Sequence, residues 1–107
     1  MKRIILTTLF LMFSVSAFSE DITDTWKALN KQYAESLSKA DYDTALRIAT
    51  ELNAIDPADT NSLLYIVYAS IRAKKDVPDW VLSRPWSNAT PQDVINRFIA
   101  ESLANGT

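Results

Sequence analysis

The chain has 107 residues, a formal charge of −2, no cysteine, no histidine and a single glycine, Gly106. Lacking thiol and imidazole, it has no cysteine or serine–histidine nucleophile chemistry and no histidine–zinc site, and without a glycine-rich turn it has no phosphate-cradling loop. Basic residues are too few and too scattered to form a nucleic-acid footprint.

The first segment reads as a secretion signal. Lys2 and Arg3 give a positive start, an apolar run follows from Ile4 to Phe18, and Ala17-Phe18-Ser19 supplies a small-x-small cleavage site. The run is shorter than the roughly 20 residues of a spanning helix, and no cysteine is present for lipid attachment. Residues 1–19 are therefore expected to leave, so that a soluble domain of residues 20–107 is released into the periplasm or outside the cell, free of the membrane. That domain carries nine basic against thirteen acidic residues, a charge of −4. It is small for a self-sufficient core, and its stability has to come from packing or from a partner.

Glu20 to Asp24 is an acidic lead expected to cap a first helix from about Thr25 to Lys39, with Trp26, Leu29, Tyr33, Leu37 and Ala40 as its apolar stripe. A turn at Ala40 and Asp41 then opens a second helix that runs to about Ile55. Asp41 is placed as its N-cap, while Ala45, Ile48, Ala49, Leu52 and Ile55 recur at helical spacing on one face. Pro57 closes it, because its ring disfavours helical geometry at the preceding residue.

Tyr42, Ala45, Ala49, Leu52 and Pro57 stand in the order of the closing half of a tetratricopeptide (TPR) unit, and this part of the chain resembles that family. Trp26, Leu29 and Tyr33 have the character of the opening half. Their distance to Tyr42 is a few residues longer than the family's, and Asn30 stands where the family usually has glycine. The resemblance covers a third to a half of the chain. It implies an all-α fold of helical hairpins and partner binding in a concave groove lined by alternate helices.

Asp56 to Asn61 forms a polar turn. Asp56, Asp59 and Asn61 have hard-cation character, but neither a glycine nor a distant glutamate completes a calcium loop, and the two aspartates read as caps of the turn. A third helix continues to about Lys74. Its middle, Leu63 to Ile71, is almost unbroken in apolar residues, the pattern of a central helix. Arg72, Lys74 and Lys75 suit the C-terminal end of that helix. Asp76 and Asp79 then bracket Pro78 as turn residues, and Val77 to Asn88 reads as an irregular strap lying across the bundle. Thr90 caps a last helix, with Pro91 in its first turn and Asp93 at the capping-box position. Val94, Ile95, Phe98, Ile99 and Leu103 are its expected buried stripe, covering the third helix and favouring a monomer over a homodimer.

These readings combine into an antiparallel bundle of about four helices, with no catalytic, metal or cofactor residue assigned. The expected function is a non-enzymatic interaction module for a peptide or helix of a protein partner. From the TPR resemblance, Asn30, Tyr33, Leu37, Tyr65 and Tyr68 would face the groove. Trp80 and Trp86 form either a recognition edge or, more often for tryptophans beside prolines, anchors for the strap. The alternative is an inhibitor or immunity-type protein that blocks a secreted hydrolase by inserting that strap.

Overall fold

The computed structural model describes residues 18–106, so all but the last two residues of the expected signal segment lie outside the described residues. Among the described residues five helices follow one another: α1 Phe18–Ser38, α2 Tyr42–Ile55, α3 Thr60–Arg72, α4 Asp79–Ser83 and α5 Pro91–Asn105. The described residues contain no strand, and no helix among them is long and apolar enough to cross a membrane. The fold is a small all-α bundle.

α1 starts earlier than the sequence reading placed it. Glu20 to Asp24 are helical rather than a cap, since acidic residues suit the first turns, where the helix dipole is positive. Leu29 and Tyr33 are buried, and Trp26 and Leu37 pack against the same core from its margin. Asp41 caps α2 by accepting from the Thr44 amide. Ala45, Ile48, Ala49 and Leu52 are fully enclosed, and the two alanines allow α1 and α3 to pack closely on α2. Ile55 departs from this face. It borders a hollow toward Ile22 and Trp26 of α1 that leaves it exposed. Asp59 caps α3 through two amides, those of Asn61 and Ser62. Asn53 donates to the Ser62 hydroxyl at 3.2 Å in a buried bond tying α2 to α3.

α1 and α3 end in the same way. The amide of Asp41 bonds the Ser36 carbonyl at 2.8 Å and that of Ala40 bonds Leu37 at 3.0 Å, while Lys75 bonds Ser70 at 2.9 Å and Lys74 bonds Ile71 at 3.0 Å. Each is the six-to-one and inner bond pair of a Schellman cap. Its left-handed residue is not glycine but Ala40, with φ 56°, and Lys74, with φ 60°. The two turns recur 34 positions apart, from 40 to 74.

α3 is the central helix, packed against α2, α5 and the short α4. Leu63, Ile66, Val67 and Ala69 are buried on it, and enclosing side chains of the leucine, isoleucine and valine type contributes about 1.5–3 kcal/mol each. The strap is more ordered than expected. Asp79 opens α4 instead of a turn, and Val81 on α4 is fully buried.

α5 carries the largest difference from the sequence reading. Thr90 and Asp93 complete the capping box with Pro91 in the first turn, yet the apolar stripe does not face the core. Asn96 and Ala100 are the buried residues, whereas Val94, Ile95, Phe98 and Ile99 point outward and Leu103 is half-buried. The cause is a polar anchor at the helix start. Thr60 donates to Asp93 at 2.7 Å, and Asn96 donates to Thr60 at 2.9 Å and to Asn61 at 3.0 Å. These bonds fix the rotation of α5, and Ala100, one turn on, lets it lie close to α3.

Candidate functional site

Because α1 and α3 run in the same direction on one side of α2, their side chains meet across a shallow valley. Its floor is a ring pair. Tyr33 and Tyr65 stack with centroids 4.3 Å apart and planes 17° from parallel, an aromatic contact beyond simple burial. The Tyr33 hydroxyl donates to the Tyr65 carbonyl at 3.4 Å. Burial pushes this phenol well above its ordinary value, with Tyr65 and Tyr68 adding to the effect, so Tyr33 is a neutral structural ring.

Leu37 and Tyr68 extend the floor, and α5 supplies the far wall through Ile99 and Leu103, with Leu64 between. The result is an apolar groove of about 230 Å³. At its end the Arg72 guanidinium lies 5.9 Å from the Tyr68 ring centroid and 4.8 Å from that of Tyr42, and it donates to the Tyr42 hydroxyl at 2.8 Å. Cation–π contact of this kind orients both rings.

Four of the residues expected at a partner groove, Tyr33, Leu37, Tyr65 and Tyr68, are therefore brought together. Asn30 is not part of the groove, for its amide turns back to the Trp26 carbonyl at 2.8 Å. Leu64, Ile99 and Leu103 were missed. Leu64 sits in an apolar run that gives no facing by itself, and the two α5 residues read as buried stripe.

The strap tryptophans divide. Trp86 is an anchor: its indole donates to the Val81 carbonyl at 2.8 Å, and the Arg97 guanidinium covers its ring at 5.2 Å. Arg97 also donates to the carbonyls of Leu82 and Arg84, sewing the strap to α5. Trp80 stays exposed, with Arg84 at 4.8 Å over its ring. Two wider hollows flank the bundle. One of about 420 Å³ lies between Ile22, Trp26 and Ile55, and one of about 500 Å³ between Trp86 and Phe98.

Asp56 and Asp59 spend their carboxylates on the turn amides of Ala58, Asn61 and Ser62. Asp93 accepts from Thr60, Ser87 and the Thr90 amide, and these bonds, the one from Thr60 foremost, hold its carboxyl below the usual aspartate value. All three acids have structural roles. No family model, curated protein or solved structure matches the chain.

Proposed function

We propose that the exported chain, in the periplasm or outside the cell, is a non-enzymatic, TPR-like interaction module that takes a helix or extended peptide of a protein partner in the tyrosine-floored groove. The observation that carries this reading is the convergence of three helices on one open apolar groove, with Tyr33 and Tyr65 as a rigid base. Groove volume limits the guest to one or two large apolar side chains, as in helix-in-groove recognition. The recurrence of the Schellman caps at 34 positions, the period of a TPR unit, supports a family relation for α1 to α3.

The blocking-strap alternative has less support, since the Trp86 and Arg97 bonds tie down the element that would insert. Affinity capture from an envelope extract, run beside Leu64→Asp and Tyr68→Asp variants of wild-type helicity, tests the groove. A partner held by the wild type and lost by both variants is expected. Equal capture by all three would defeat the reading.

A further inference from the structure

We propose that α5 is a self-association surface through which two copies of this chain pair about a two-fold axis. Val94, Ile95, Phe98 and Ile99 are 54%, 48%, 70% and 38% exposed. They form one ridge, because Asn96 and Ala100 already commit the opposite side of the helix to α3. The four side chains present about 400 Å² of apolar surface, as much as the largest patch a monomer ordinarily shows. Two copies remove about twice that from water, close to the apolar share of a standard interface of about 1,600 Å².

The ridge complements itself. With two α5 helices antiparallel, Ile95 lies opposite Phe98, Val94 opposite Ile99 and Pro91 opposite Ser102, and the two-fold axis repeats each pairing. Along the same edge of the ridge, the hollow of about 500 Å³ walled by Val94, Phe98 and Trp86 leaves these side chains room to settle against the second copy. Charge does not oppose the meeting. Arg97 and Glu101 neutralise each other at 2.9 Å, and Asp93 is turned inward to Thr60 and Ser87. On an acidic chain, this neutral face is where a second copy approaches without repulsion.

Sedimentation velocity tests the pairing, on protein expressed from the full sequence and purified in its processed form, across about 1 to 100 µM. The wild type is expected to shift from monomer to dimer as concentration rises. Phe98→Glu and Val94→Glu alter exposed positions and should keep wild-type helicity while weakening association at least tenfold. Trp80→Glu, exposed but away from α5, should dimerise as the wild type does. A wild type that stays monomeric overturns the proposal, as does a dimer indifferent to both α5 variants. Growth beyond the dimer also overturns it, because it marks a head-to-tail contact in place of a two-fold one.

Discussion

Asn96 of α5 and Thr60 of α3, 36 positions apart in sequence, meet in a buried hydrogen bond of 2.9 Å. The Thr60 hydroxyl donates in turn to Asp93, so a chain of hydrogen bonds runs from one helix start to the other. Asn96→Ala removes the donor to Thr60 and Asn61 and leaves a void at a site that is 2% exposed. A loss of about 1–3 kcal/mol is expected for stranding such groups, read as a lower urea midpoint. Asn96→Asp should cost more, because it has no proton to give and sets a second carboxylate near Asp93. An unchanged midpoint in both variants would show that α5 is held by other contacts.

Ala49 has no exposed surface and lies where α2 meets its neighbours. Ala49→Trp forces a ring into that seam. Overpacking costs about 1–3 kcal/mol and sometimes more, a large share of a small domain's stability. A thermal melt should show a fall of many degrees, whereas a melt within a degree or two of the wild type would place Ala49 at a surface.

Two groups have folded-state values displaced from the ordinary ones. Asp93 has a lowered folded-state value, so its contribution is fully present above the ordinary 3.8 and is lost as pH falls through the folded value. Tyr33 has a raised one, so its contribution is complete below the ordinary 10.0 and is lost as pH rises from there through the higher folded value. Denaturation profiles of Asp93→Asn and Tyr33→Phe should each flatten one limb, acid and alkaline respectively, and leave the other as it was.

Ala40 and Lys74 hold left-handed backbone without being glycine. A Cβ there costs about 1–2 kcal/mol, partly offset by the entropy a glycine adds to the unfolded chain. Ala40→Gly and Lys74→Gly should each stabilise by about 0.5–1 kcal/mol, and because the Lys75–Asp43 and Arg72–Tyr42 contacts link the two turns, the double variant measures their coupling. Guanidinium titration of the single and double variants checks this.

The helical hairpin was legible because its signals are local. Asp41, Asp59 and Thr90 are caps in sequence and caps in structure, and the alanines of α2 lie on one helical face. Tyr33, Leu37, Tyr65 and Tyr68 were placed together through the tetratricopeptide resemblance, each pair sharing a face of its helix at i to i+4 or i to i+3. The rotation of α5 was not legible. Periodicity identifies which side chains are able to be buried, but the choice was made by Thr60 and Asn61, whose nearness to Asn96 exists only after folding. Ile55 was misplaced for a related reason: it keeps the period of its helix, but the hollow between it and Ile22 and Trp26 leaves it exposed.

The seam between α3 and α5 gives that helix an unusual thermodynamic character. Asn96 and Thr60 join through directional bonds at the start of α5, while Ala100 and Leu103 hold it to the core by apolar contact further on. Heat capacity and denaturant sensitivity both scale with the surface uncovered. Opening of α5 alone uncovers less surface than unfolding the whole bundle, so its denaturant dependence is the shallower of the two, while α2 and α3 give way in the steeper global transition. The helix that bears the apolar ridge, packed on one helix of the core, is thus the first candidate for local unfolding.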